Sequence, residues 1–239
     1  VIGAGRVGRV YAARDLNGRR DVAFKIIPER SFKPPATPEA LMSALATAIK
    51  LNSPRLVRSL AFGRWGRGVY LVFELAKQPT LRQLLDESSS LPAKDRVRRL
   101  ARPLETAIEA VAAAHGMDAV HGEACPRKFF VSEDGGSRLA GAGLCFWRFF
   151  SAKPLEPWYQ APRGLAGVAA DAYALRRLCV EVLTGRRPNR IEDIPAEDIE
   201  SLPRKARSVL TALLDASPAA ALAGVPACRL AASKIIASF

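Results

Sequence analysis

An α+β fold in two parts is what this sequence predicts, and three observations carry that prediction. The 239 residues are 49% hydrophobic, with a mean hydropathy of +0.03, enough to bury a substantial core. Up to about Leu75 the chain reads as short β-type runs separated by turns. Beyond it the apolar residues recur at three- and four-residue spacing, the period of helices.

Each element has its own signal. Val10-Tyr11-Ala12-Ala13 and Asp21-Val22-Ala23-Phe24-Lys25-Ile26-Ile27 flank Asn17-Gly18, the strongest short hairpin signal. Pro34, Pro35 and Pro38 break the chain before residues 39–51, which are rich in Ala, Leu and Met and helical in composition. Residues 69–73, Val-Tyr-Leu-Val-Phe, form a further apolar strand. Helical periodicity follows over 80–87, 94–115 and 171–184, with Gly185 and Pro188 stopping the last helix. Glu133-Asp134-Gly135-Gly136 is a turn between two short strands.

Composition narrows the function classes. No apolar run reaches the roughly 18 residues of a membrane span, because Arg or Pro interrupts each candidate. The opening Val-Ile-Gly has neither an initiator Met nor the basic-then-apolar layout of a leader, so the chain reads as part of a longer protein. Cys125, Cys145, Cys179 and Cys228 form no C-x-x-C pair, which points to a reduced, cytoplasmic setting; any membrane tether is left to the rest of the longer chain. A net charge of +13 raises nucleic acid as a partner. Arg outnumbers Lys 27 to 9, yet the basic residues are spread along the chain without an aromatic-interleaved patch, so nucleic acid is not expected.

Gly3-Ala4-Gly5-Arg6-Val7-Gly8 fits G-x-G-x-x-G, which lets a backbone approach phosphates. A dinucleotide-binding fold would open a helix at the third glycine. Here Arg9-Val10-Tyr11-Ala12 and the Asn-Gly hairpin follow, so a strand does, and that reading is excluded. The surviving context is G-x-G-x-x-G-x-V, with Val22-Ala23-Phe24-Lys25 as the strand whose lysine reaches the α- and β-phosphates. On these residues the chain resembles the eukaryotic-type protein kinase family, most closely its bacterial Ser/Thr branch. The resemblance continues in order. Leu51-Asn52-Ser53-Pro54-Arg55-Leu56-Val57 is similar to L-x-H-P-x-I-V, and residues 71–76 to the strand and hinge that grip adenine. Residues 115–121 are similar to H-x-x-G-I-V-H, Ala161-Pro162 to A-P-E, and Asp171-Ala172-Tyr173-Ala174-Leu175 to the start of the central helix, which Thr184-Gly185-Arg186-Arg187-Pro188 closes. It implies a bilobal kinase-like fold: a β-rich N-lobe, truncated at its start, over residues 1–76 and a helical C-lobe over 77–239.

The same resemblance assigns the cleft. Gly3, Gly5 and Gly8 would cover a nucleotide, Val10 and Ala23 would roof its adenine, and Lys25 would hold its phosphates. The Glu74 carbonyl and Ala76 amide would bond its edge. Phe130 takes the floor position and Phe73 the gatekeeper position, both bulky enough to fill part of the slot. Asp171 would hold the catalytic-loop backbone, with His121 packed beneath it. The catalytic positions themselves are altered. H-R-D-L-K-P-x-N reads His121-Gly122-Glu123-Ala124-Cys125-Pro126-Arg127-Lys128, so the base position is Glu123, the loop lysine is Cys125 and the metal-binding Asn is Lys128. D-F-G reads Gly141-Ala142-Gly143, without a carboxylate for magnesium. Counted back seven residues from Leu51, the helix Glu that would pair with Lys25 falls on Ala44, and Glu39 lies more than a turn away. The Glu of A-P-E is Arg163, and its Arg partner falls near Ala221.

Phosphoryl transfer depends almost wholly on positioning and charge. Losing one preorganised donor costs about 2.7–4 kcal/mol in a well-studied enzyme, and two such losses suppress turnover by roughly four orders of magnitude at about 1.36 kcal/mol per decade. The expectation is a catalytically impaired pseudokinase: a scaffold or regulatory signalling module for protein partners, with weak, magnesium-independent ATP binding or none, and no metal. The alternative is a divergent active Ser/Thr protein kinase, a transferase of the ATP γ-phosphate with Glu123 as base. Glu123 and Lys128 are expected as exposed loop charges. Phe146, Trp147, Phe149 and Phe150 are expected to pack onto the helical lobe or into the cleft and hold the activation segment in one state; the competing expectation is an exposed partner surface.

Overall fold

The structure, a computed structural model, describes residues 1–5, 7–144, 150, 156–214 and 224–239. Strands β1 (Gly3–Gly5), β2 (Gly8–Asp15) and β3 (Arg20–Ile27) lead to helix α1 (Pro38–Ala48), the short β4 (Leu56–Val57), β5 (Ser59–Trp65) and β6 (Gly68–Glu74). Five of them form an antiparallel sheet in the order β1-β2-β3-β6-β5. At the β2–β3 hairpin the Asp15 carboxylate accepts hydrogen bonds from the Asn17 and Gly18 amides, the side-chain turn that Asp favours. Thr37 caps α1 by accepting the Ala40 amide. Pro38, expected to interrupt the chain, is instead the first residue of this helix, where an amide donor is not needed. β5 follows its apolar Leu60-Ala61-Phe62 with Gly63, Arg64 and Trp65, as suits an edge strand with water beside it.

α1 covers one face of the sheet. Ile27, Val69 and Leu71 from the strands meet Leu41, Leu45 and Ala48 from α1 in a small core, which Leu144 and Phe150 complete from later in the chain. The second part begins with α2 (Leu81–Ser88), opened by a reciprocal Thr80–Gln83 capping box, and α3 (Ala93–His115). A small sheet follows in the order β4-β8-β7, with β7 at Phe129–Val131 and β8 at Ser137–Ala140. Helices α4 (Val168–Thr184), α5 (Ala196–Glu200), α6 (Arg204–Leu214) and α7 (Gly224–Ile236) complete it. The larger core lies between α3 and α4, where Leu100, Leu104, Leu175 and Leu178 are fully buried. The chain is thus an α+β protein with a β-rich first lobe and a helical second lobe. Among the described residues no helix is long and apolar enough to cross a membrane.

The end of α4 shows why the sequence stops it there. The buried Arg96 guanidinium donates to the carbonyls of Val182 and Leu183 and to that of Leu91, satisfying orphan acceptors of the last turn. Gly185 sits directly against this group at φ +69°, and a Cβ there would lie 2.7 Å from the Ser89 carbonyl oxygen and 2.8 Å from the guanidinium. Gly185→Ala therefore combines left-handed strain with a backbone clash. It is expected to destabilise the fold by about 2 kcal/mol or more, read as a lower urea midpoint at unchanged slope.

Candidate functional site

The site grows from one buried carboxylate. Asp171, in the first turn of α4, is fully buried. Its Oδ1 accepts the Gly122 amide at 2.7 Å, and its Oδ2 accepts the His121 amide and contacts His115 Nε2, both at 2.9 Å. The His121 ring extends the chain of bonds. Its Nδ1 accepts the Glu123 amide at 3.0 Å, so the ring proton is on Nε2, which donates to the Ala140 carbonyl at 2.9 Å. Burial, aided by the Lys128 charge, holds the His121 pKa below its usual 6.5 against the pull of Asp171. Asp171, residues 121–123 and the end of β8 are thereby one hydrogen-bonded unit.

The altered catalytic positions ride on that unit. Glu123 and Lys128 are not exposed loop charges, as expected from the sequence. Their side chains are only 15% and 18% exposed and form an ion pair with Nζ 3.8 Å from Oε2. The reason is local. A Cys125–Lys128 turn, closed by the Lys128 amide donating to the Cys125 carbonyl, brings the lysine back over the loop. Cys125 is buried, and burial followed by the nearby Glu156 carboxylate pushes its thiol well above the ordinary value, so it offers neither a thiolate nor a cation. Gly141 brings no carboxylate, and Lys128 brings an ammonium where the resemblance implies a metal-ligating amide. These residues do not fit magnesium. Among the described residues no three His, Cys, Asp or Glu side chains are grouped as metal ligands would be.

On the sheet side, cross-strand register gathers the other candidates. Val10, Lys25 and Leu71 lie side by side, as do Ala12, Ala23 and Phe73, and all of these point to the face that carries α1. Gly3 and Gly5 pair with Val10 and Gly8 in the β1–β2 hairpin. Gly8 has a structural reason to be glycine, because a Cβ there would run into the Ile26 carbonyl of β3. Ala44 packs against the small core, while Glu39 pairs with Arg64 of β5. Glu74 turns its carboxylate back to the Arg58 amide and the Arg138 guanidinium. Burial opposes its charge, but these two donors outweigh it and hold its pKa below the usual value. Ala76 is half-buried in the connection to α2. Phe130 is half-buried on β7, bridged to Thr80 and paired with Arg138.

The segment between the two halves of the cleft is anchored differently from the expectation. Arg163 is exposed, and Ala221 lies outside the described residues. The buried carboxylate of this segment is Glu156 instead. It accepts the Arg127 amide at 3.2 Å and pairs with Arg82 of α2 at 3.2 Å. Arg82 also forks onto Glu181 of α4 at 2.6 and 3.0 Å, and Tyr159 and Arg187 complete the cluster around Glu181. Only an i,i+4 pairing with Asp86 marks Arg82 in the sequence, so nothing local betrays this network. Of the four clustered aromatics, Phe146, Trp147 and Phe149 lie outside the described residues. Phe150 is 3% exposed and packs into the small core of the first lobe, its ring 5.0 Å from that of Phe32. Of the two expected destinations, the helical lobe or the cleft, Phe150 takes neither the helical lobe nor an exposed surface: its cluster holds Val7 and Phe73 of the first lobe beside the residues of α1.

A glycine-turn sheet with one helix, hinged to a helical body whose central helix holds a loop by a buried Asp, defines a kinase-like protein. The protein kinase domain description matches residues 1–218, and the chain belongs to that family. It is 30% identical over 199 residues to the serine/threonine-protein kinase PknL of Mycobacterium tuberculosis, covering 78% of this chain and 48% of that protein. It is 27% identical over 199 residues to PrkC of Bacillus subtilis, covering 79% of this chain and 30% of that one. The chain thus spans half or less of the length of these relatives. Among solved structures it resembles the pseudokinase domain of BIR2, an immune regulator of the RLK/Pelle family. There the TM-score is 0.65 at 18% identity, over 98% of this chain and 80% of that one.

Two measurements test the hydrogen-bonded unit. Asp171→Asn keeps one acceptor oxygen but turns an NH2 donor against either the His121 or the Gly122 amide, and is expected to cost about 3 kcal/mol, roughly 6–12 °C in Tm. A titration follows from His121. Its folded pKa lies below the unfolded 6.5, so the unfolded state binds more protons in between and stability falls as pH drops from 6.5 towards the folded value. Urea unfolding between neutral pH and about pH 5.5 is expected to show this loss, and His121→Gln to flatten it.

Proposed function

We propose that this chain is a pseudokinase domain that serves as a scaffold or regulatory module for protein partners, in a cytoplasmic setting. The observation that carries the reading is the Glu123–Lys128 ion pair, which neutralises the residue at the base position with the residue at the metal-ligand position. Gly141 and Cys125 add the missing carboxylate and the missing loop cation. The surface of Val10, Ala23 and Lys25 remains, and with the hairpin glycines it supports weak ATP binding that does not need magnesium. Lys128, already facing Glu123, would offset part of the phosphate charge. Phe73 and Phe130 are the groups that would limit the adenine slot.

A thermal shift with ATP, run with magnesium and again with chelator, tests this. The expected result is the same small rise in both, about 1–3 °C at millimolar ATP, together with no phosphate incorporation from radiolabelled ATP. A large shift seen only with magnesium, or turnover that disappears in Glu123→Gln, would instead establish a divergent Ser/Thr kinase with Glu123 as its base.

A further inference from the structure

The face of the five-stranded sheet that points away from α1 has the composition of a binding surface. Cross-strand register puts Tyr11 beside Phe24 and Val72, and Ile26 beside Tyr70, all on this face. Phe24 stacks on Tyr70 at 5.4 Å between ring centres and meets Trp65 edge-on at 6.0 Å. The residues of the opposite face, Ile27, Val69 and Leu71, are fully buried under α1. These six are not: five are half-exposed, and Trp65 is 55% exposed. Val1, Ile2 and Leu16 of the same lobe are exposed as well. Ordinary surface apolar residues are scattered singly, whereas a contiguous aromatic patch marks an interaction site.

Charge says what kind of partner fits. Residues 1–76 hold thirteen basic and five acidic side chains, so this lobe carries +8 of the net +13. Arg9 is exposed on the aromatic face itself, and Arg67, beside Trp65 in the β5–β6 turn, has its side chain 89% exposed, with a long 3.9 Å pairing to the exposed Glu29 that a partner's carboxylate would replace. A second copy would bring the same positive field against it, which like-charge repulsion disfavours. Trp, Tyr and Arg are the residues that dominate protein–protein hot spots. We propose that this face docks an acidic polypeptide segment of a partner protein, one that inserts aromatic or aliphatic side chains between Trp65 and Tyr70 and sets its carboxylates against Arg9 and Arg67. The site lies on the far side of the sheet from the cleft. It names a partner class for the scaffold reading, and no nucleotide enters its test, so failure here leaves the cleft reading standing.

The test titrates the 239-residue chain against a fluorescent glutamate–tyrosine copolymer, with polyglutamate as the charge-only probe. Saturable binding to the copolymer is expected, with polyglutamate at least about tenfold weaker. Trp65→Ser and Arg67→Glu, both at exposed positions and checked for unchanged Tm, should each weaken copolymer binding by about tenfold or more. Leu230→Ser, at an exposed apolar residue of α7, should leave it unchanged. The proposal is overturned if the copolymer does not bind, if Trp65→Ser binds as well as the parent, or if polyglutamate binds equally. Tighter association with phosphatidylserine vesicles, or a dimer in light scattering that Trp65→Ser dissolves, would also overturn it and assign the face to a membrane or to a second copy.

Discussion

A buried carboxylate in water-free surroundings must be bonded on every side or it costs several kcal/mol. Asp171 meets that demand by taking the backbone of residues 121 and 122 and the His115 ring, and the loop that carries Glu123 takes its position from those bonds. His121 passes the constraint on to Glu123 on one side and to Ala140 on the other. The altered positions 123, 125, 128 and 141 therefore stand on a rigid frame. Their chemistry has changed while the scaffold that aims them is retained.

The changes are mutually consistent in charge. A cation at position 128 would repel a metal, and a carboxylate at 123 would be left beside it; together they form a pair with little exposure to solvent. Such a pair is screened less by salt than a surface one. Cys125, buried beside Glu156, adds a neutral group in place of a third charge. The cleft carries no surplus of fixed negative charge at these positions, which is the property a divalent cation would need.

The segment that follows is fixed by charge of a different kind. Arg82 binds carboxylates from two other elements, Glu156 and Glu181, and all three side chains are about 5% exposed. Removing one member of such a set leaves an uncompensated buried charge, a loss of about 3–5 kcal/mol where it has been measured. Phe150 packs into the core formed by Leu41, Leu45 and Ala48 of α1, with its ring beside Phe32 in the connection that precedes the helix. The buried ion cluster joins α2, α4 and Glu156, and the buried Phe150 ring joins the core beneath α1.

Much of this was legible in the chain itself. The Asn17-Gly18 hairpin, the helices over 80–87, 94–115 and 171–184 and the stop at Gly185 follow from local turn chemistry and apolar period, which neighbouring residues alone express. The kinase-like order of motifs, and the loss of residues at positions 123, 125, 128 and 141, are matters of residue identity and are equally visible in one dimension. What the sequence could not express is which distant charges meet. It gives no hint that Lys128 folds back onto Glu123, that Arg82 reaches Glu156 and Glu181 across 74 and 99 residues, or that Phe150 joins the sheet-side core. Those pairings depend on where whole helices come to rest, and that is settled by apolar burial summed over the fold, which no local pattern of residues encodes.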